Sequence, residues 1–263
     1  MDLDIAGNAG LVTASSSGLG KAAATALARE GVDVVINGRD EDRLAEAATE
    51  IEAEATGSVV QQPGDITDPD DISALVNRAV DEFDRLDHVV TSAGGPPSGR
   101  FLDIPESEWY DTYDLLVMSV VRLIHEATPH LQAGDGGTIV NITSISVKEA
   151  IDALVLSNSV RMSVIGLEKT LSTELAPEIR VNAILPGTHE TPRIEELLTQ
   201  AVDRGDFESY EAAREARGAD IPVGHIGDPM NLGELAAFLS SPRAAFINGI
   251  AIPVDGGSSG SNL

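Results

Sequence analysis

The residues with the clearest chemical potential lie near the start of the chain, where Asn8-Ala-Gly-Leu-Val-Thr-Ala14, a strand-like run, turns into Ser15-Ser-Ser-Gly-Leu-Gly20. Small side chains at a strand-to-helix turn let backbone amides approach a pyrophosphate, and the helix N-terminus beyond favours negative charge. A tight turn with close packing would use the same residues. Farther on, Val32 to Ile36 ends in Asn37-Gly38-Arg39, without the acidic residue that grips a ribose 2′-hydroxyl. Arg39 suits a 2′-phosphate instead, although pairing with Asp40 or Asp42 in solvent is the plainer reading. Lys148, in a chain whose other lysines are Lys21 and Lys169, and His189 are candidate proton carriers. Their plain alternatives are a surface cation and an exposed loop histidine. His125 and His130 lie five apart with no His-Glu-x-x-His pattern, so no metal site is expected.

These groups need a scaffold, and short β-type runs alternating with longer helical ones supply its pattern, that of βαβ units around a parallel sheet. Val32 to Ile36, Asp87 to Val90, Thr138 to Ile142 and Ile179 to Ile184 are rich in β-branched residues and read as buried strands. Helical spacing runs over Gly18 to Glu30, Asp40 to Ala55, Pro69 to Phe83, Glu106 to Leu131 and Leu156 to Leu175. Asp68-Pro69 and Pro105 stand where helices should begin. With no repeat and no Pro/Ser-rich linker, residues 1–263 are expected to form one domain. Residues 191–222, highly charged and Gly-punctuated, read either as a solvated helical insertion or as a lid over a pocket at the sheet edge.

The 263 residues are 42% apolar, enough to fill a core. No apolar run approaches the roughly 18 residues of a membrane span, and Met-Asp-Leu-Asp lacks a basic targeting patch, so a cytoplasmic location is expected. Without cysteine there is no disulfide, thiolate nucleophile or Cys-type zinc site. Redox chemistry would need a bound cofactor. The 43 acidic residues against 17 basic ones leave a net charge of -26, which argues against nucleic acid and anionic membrane as partners. Aromatics at 3% also argue against base-stacking platforms. Such charge reads as halophilic adaptation, because molar salt screens repulsion beyond roughly 3 Å, with an ordinary acidic protein at low salt as the plainer alternative.

Thr13-Ala-Ser-Ser-Ser-Gly-Leu-Gly20 resembles the Thr-Gly-xxx-Gly-x-Gly signature of the short-chain dehydrogenase/reductase family, with Ala14 at the first glycine. Asp65 in Gly-Asp-Ile-Thr is similar to its adenine-binding aspartate, and Thr91-Ser-Ala-Gly94 to its Asn-Asn-Ala-Gly motif. Arg180-Val-Asn-Ala-Ile-Leu-Pro-Gly187, with Thr191, resembles the segment over the nicotinamide, and Pro253-Val-Asp-Gly-Gly257 the C-terminal strand. The match spans about Ala6 to Gly257, in order and at the right spacings. It implies a single Rossmann-type, doubly wound α/β domain with about seven parallel strands and helices on both faces. It further implies NAD(P) as cofactor, a small carbonyl or alcohol substrate, and a homodimer or homotetramer; the Arg39 reading above favours NADP(H) over NAD(H). On this resemblance the cofactor would meet Thr13, Ser15, Ser16, Ser17, Gly18, Leu19 and Gly20 at the phosphates. Arg39, Asp65, Ile66, Ala93 and Gly94 would meet its adenosine half, and Arg161, Pro186, Gly187, Thr188 and Thr191 its nicotinamide half. The apolar stripe Trp109 to Leu123 would serve either an interface or the core.

The resemblance breaks down at the catalytic positions. Family members place a serine, a tyrosine thirteen residues on, a lysine four beyond, and an asparagine on the fourth helix. Here those positions hold Ser144, Ser157, Arg161 and Leu116. A phenol of pKa about 10 can be brought near neutrality to protonate a carbonyl oxygen, whereas a serine hydroxyl is a far weaker acid. Arginine keeps its proton but can still hydrogen-bond hydroxyls. The expected function is therefore a carbonyl/alcohol oxidoreductase resembling 3-oxoacyl-thioester reductases, with Ser144, Ser157 and Arg161 as its atypical catalytic set. A dinucleotide-binding sensor or oligomer partner is the alternative, and non-redox chemistry with a structural nucleotide a third. Gly94-Gly-Pro-Pro-Ser-Gly99 is expected to stiffen the loop beside the substrate mouth.

Overall fold

The computed structural model describes residues 1–134 and 136–262. Its strands are β1 (Ala9–Val12), β2 (Asp33–Gly38), β3 (Val59–Pro63), β4 (His88–Thr91), β5 (Gly137–Ile142), β6 (Ile179–Pro186) and β7 (Ala251–Val254). They form one seven-stranded sheet in the order β3-β2-β1-β4-β5-β6-β7, every pair parallel. Each run expected as a strand overlaps one of these, with ends shifted by a residue or two.

The helices are α1 (Gly18–Arg29), α2 (Glu41–Glu52), α3 (Pro69–Phe83), α4 (Glu106–Tyr113), α5 (Ser119–Ala133), α6 (Val155–Glu174), α7 (Pro192–Asp203), α8 (Tyr210–Ala219) and α9 (Pro229–Ser240). Successive strand side chains point to opposite faces, and the two cores follow that alternation. Val12, Val34, Ile36, Val90 and Val140 pack with α1, α2 and α9. Leu11, Val35, Val89, Ile139 and Val181 pack with α3, α5 and α6. Burial on both faces is why the strands are apolar throughout rather than alternating.

One helical segment differs from expectation. The helix expected over 106–131 is divided by a π-helical turn at Asp114–Met118, where the Ser119 amide donates to Asp114 O, five residues back. The Ser119 hydroxyl also donates to Leu115 O (2.5 Å), so side chain and backbone share the local acceptors. Residues 191–222 hold α7 and α8, whose buried Leu198 and Ala213 pack with Ile221 and Ile226 in a small separate core. The apolar stripe Trp109 to Leu123 is core within the chain: Leu116, Val117, Val120 and Leu123 are buried, and Trp109, Leu115 and Val121 pack against them.

The chain runs outward from β1 to β3, then α3 carries it back to β4 on the other flank of β1. That reversal opens a crevice beyond the C-terminal ends of β1 and β4, the usual ligand position in an open α/β sheet. Behind it, α9 crosses α1 closely: a Cβ on Gly233 would lie 2.3 Å from Ala22 O. Only glycine permits that approach.

Candidate active site

At the crevice, β1 passes into a loop held from behind. The Thr13 hydroxyl donates to Ser92 O (2.7 Å) and accepts the Ser92 amide (2.8 Å), tying the ends of β1 and β4 together. Asn37, buried in β2, accepts the Ala14 amide (3.3 Å) and donates to Gln62 O and Gly64 O (both 3.1 Å). Ser15 is turned to the protein interior. Fully buried, it donates from its amide to Asn37 O (2.7 Å) and from its hydroxyl to Val12 O (2.7 Å), so it braces the loop. Ala14 stands at φ 46°, a left-handed conformation that a β-carbon makes costly, at the position where the related signature has glycine. Gly20 has no room for a side chain, since a Cβ there would meet Ala14 O at 2.4 Å.

The first turn of α1 faces outward from this loop. Ser17, its N-cap, makes no side-chain capping bond, and the turn carries no acidic residue. Its amides are therefore free for an anion, with the helix dipole in support. Ser16 and Gly18 flank that cap, and Thr191, the N-cap of α7, lies over it: its Cγ2 is 3.5 Å from where a Gly18 Cβ would stand.

Along the crevice toward β3, Asp65 accepts both the Thr67 amide (2.9 Å) and hydroxyl (2.8 Å). Burial raises its pKa, but these bonds and the Arg39 charge outweigh burial and leave it below the ordinary carboxylate value. Arg39 is exposed and pairs loosely with Asp65 at 3.9 Å rather than with Asp40 or Asp42, the partners expected of it, and Asp40 caps α2. Ile66 is buried, Ala93 half-buried and Gly94 exposed.

On the opposite side the crevice opens into a cavity of about 530 Å³. Its wall brings together Leu19, Ser144, Ser157, Arg161, Pro186, Gly187, Thr188 and Thr191, with His189 among them. Gly95, Pro96 and Ser98 of the Gly-Pro-rich loop also line it, and α7 and α8 supply Ile194, Leu197 and Arg217. Lys148 stands outside this wall, half-buried at the end of the 3-10 turn Ile145–Val147.

Ser144, two residues past β5 and the N-cap of the 3-10 turn, accepts the Ser146 amide (3.1 Å), and the Ser146 and Ser157 hydroxyls share a hydrogen bond of 2.9 Å. The three serines thus form a short chain from the β5 loop to α6. One turn beyond Ser157 lies Arg161, buried like it, whose pKa burial pushes down to about 10. His189 is buried rather than an exposed loop residue, and its Nδ1 is 3.3 Å from Gly187 O. Burial lowers its pKa against the opposing Gly187 bond, Asp228 and Asp255, so the ring is held toward its neutral form. Leu116, at the family's asparagine position, is buried in the π-helical turn and offers no polar group.

The arrangement can hold an extended dianion on the α1 amides, place a ring and a small organic group in the adjoining cavity, and offer hydroxyl donors to an oxygen near Ser144. Sequence reasoning missed Asn37 and Ser146. An asparagine inside a β-branched strand and a serine two residues past Ser144 were available signals, since buried polar groups seek partners.

The model of a protein family described as enoyl-(acyl carrier protein) reductase matches residues 13–259. The chain is 29% identical over 248 residues to a 3-oxoacyl-(acyl-carrier-protein) reductase of Thermotoga maritima, covering 94% of this chain and 96% of that one. It is 32% identical over 250 residues to an L-rhamnose 1-dehydrogenase (NAD(P)(+)) of Sphingomonas sp., covering 94% of each. The L-sorbose reductase of Gluconobacter frateurii, solved with NADPH and L-sorbose, superposes with a TM-score of 0.94 at 29% identity, covering 99% of this chain and 100% of that one.

Proposed function

The chain belongs to the short-chain dehydrogenase/reductase family, and from that membership we propose how this member works. It is an NADP(H)-dependent oxidoreductase acting on a carbonyl/alcohol pair. The observation that carries the reading is one sheet edge on which the uncapped α1 turn and the serine-lined cavity adjoin. The residues fit a dinucleotide: Gly20 clears the space that a backbone approach requires, and no acid opposes phosphate at the turn. When bound, the reduced nicotinamide supplies the hydride.

The amides following Ser16, Ser17 and Gly18 hold the pyrophosphate, with Thr13 and Ser15 fixing their geometry and Leu19 entering the cavity wall. Asp65, Ile66, Ala93 and Gly94 flank the adenosine half, and Arg39 meets the 2′-phosphate through its planar fork. Pro186, Gly187, Thr188 and Thr191 border the nicotinamide half. Ser144 donates its hydroxyl to the carbonyl oxygen while accepting the Ser146 amide, and the Ser146–Ser157 hydroxyl bond holds that loop against α6. In place of a phenol this chain has only weakly acidic hydroxyls, so positioning carries more of the catalysis than proton donation does. The segment 191–222 acts as a lid, its α7 and α8 lining the cavity. The protein works as a cytoplasmic, halophilic homo-oligomer within one domain spanning residues 1–263.

The test pairs a nucleotide titration with NADPH oxidation at molar KCl over ketones and oxoacyl thioesters. NADPH should bind more tightly than NADH, and Arg39→Ala should narrow that ratio by roughly 10-fold, the loss of one charge-assisted contact. Binding without turnover of any carbonyl would overturn the enzymatic reading, and an unchanged ratio would remove Arg39 from the 2′-phosphate.

A further inference from the structure

Arg161 is a buried cation without an anion. The residue is 8% exposed and lines the cavity, and its Nε is sealed from solvent with no hydrogen-bond partner. Arg180, half-buried on β6, shows how this fold satisfies such a group: its guanidinium donates to Ile247 O, Leu239 O and Ser241 O. No such carbonyls or carboxylates engage Arg161 among the described residues. A guanidinium held out of water without compensation is expensive, and the cost is removed when an anion arrives. The remaining charged residues on the wall are Arg193, Arg217, Glu149 and Asp220. Glu149 is already engaged by the Gly260 amide at 2.7 Å. In a molecule with a net charge of -26, this wall carries three arginines against two acids.

An anion on Arg161 would lie beside the serine chain. Ser157 precedes Arg161 by one turn on the same face of α6, a separation of roughly 6 Å between Cβ atoms. Ser157 joins Ser146, whose amide donates to Ser144. Arg161 and Ser144 also line the same cavity, so one small substrate can meet both. We propose that Arg161 receives a carboxylate of the substrate, so that the carbonyl substrates of this chain are short oxo acids and the alcohols short hydroxy acids. A carboxylate matches the guanidinium fork with two parallel hydrogen bonds, which fixes the orientation of the carbonyl beside it. The carboxylate is unchanged by the reaction. The inference rests on the oxidoreductase reading above.

The experiment compares kcat/KM for 2-oxobutanoate and butan-2-one at one fixed KCl concentration, in wild type, Arg161→Gln and Arg161→Lys, with NADPH affinity measured for each protein. Wild type should favour the oxo acid by about 100-fold or more. Arg161→Gln should lower the oxo-acid value by roughly 30-fold or more, the scale of losing one partner of a buried charge pair, while nucleotide affinity holds. Arg161→Lys, which keeps the charge and loses the fork, should fall between them and serves if the glutamine variant does not fold. Equal use of acid and ketone by wild type overturns the inference. So does a loss of NADPH affinity that matches the loss of oxo-acid turnover, which would assign Arg161 to the nucleotide. If neither compound turns over, oxamate is titrated onto the NADP-loaded protein. Oxamate binding that disappears in Arg161→Gln keeps the carboxylate site and removes the reaction, whereas no binding by wild type removes the site.

Discussion

Glu168 lies two turns past Arg161 on α6, 1% exposed, with Oε1 lacking any hydrogen-bond partner. Burial pushes its carboxyl up to about 7, against the opposing charge of Lys169. Its folded pKa is thus above its unfolded one, so the native state binds the extra proton between about pH 4.5 and 7. The contribution is fully present below the unfolded value and is lost as pH rises through the folded one. Glu168→Gln, neutral throughout, should leave stability near pH 4 almost unchanged and raise it at pH 8 by up to roughly 3 kcal/mol. Thermal melts of both proteins across that range measure the difference, and parallel curves would show that Glu168 is ionised in the fold without cost. Residues of this kind differ in how far a sequence exposes them. Ser144, Ser157 and Arg161 follow from counting along a known spacing. The Ser146–Ser157 bond and the unpartnered state of Arg161 do not, because both depend on what the β5 loop and α6 bring opposite each other.

At the scale of elements, the turn proposed to hold the pyrophosphate depends on how α1 is seated, and α9 sets that seat through Gly233. Gly233→Ala would place a Cβ 2.3 Å from Ala22 O, an overlap that only displacement of one helix relieves. We expect a loss of about 1–3 kcal/mol together with weaker NADPH binding, as the first turn of α1 shifts with its helix. Chemical denaturation and nucleotide titration report the two effects, and a variant as stable and as tight as wild type would separate α9 from the site. The elements themselves were largely legible, since β-branched runs and helical spacing are local signals. The π-helical turn at Asp114–Met118 was not, because a bonding shift of one residue leaves the apolar spacing of the helix almost intact. The packing of α7 and α8 around Leu198, Ala213, Ile221 and Ile226 was hidden by the high charge of their exposed faces, which made the segment read first as solvated.

For the whole molecule, the governing quantity is a net charge of -26 on one chain. Many of its cations are already committed to local pairs: Lys21 with Glu50, Arg29 with Glu54, Arg78 with Glu82, Arg122 with Asp114 and Arg243 with Asp4. The excess carboxylates consequently face one another across the surface without cationic relief, and compaction brings them closer than they are in the unfolded chain. Surface pairs contribute little each and are themselves weakened by salt, so they oppose the trend only slightly. Raising KCl shortens the screening distance from about 30 Å at 0.01 M to about 3 Å at 1 M, which removes most of the repulsion between neighbouring acids. The melting temperature should therefore rise steadily from dilute to molar KCl. The expected increase is on the order of 10 °C, as a relief of about 4 kcal/mol gives a domain of this size. Sucrose in place of salt stabilises by exclusion from the surface and leaves the repulsion in place, so a melt in sucrose without salt should fall short of the KCl value. A melting temperature that is flat or falling across the KCl series, or matched by sucrose alone, would sink the charge argument and leave the acidic surface without a role in stability.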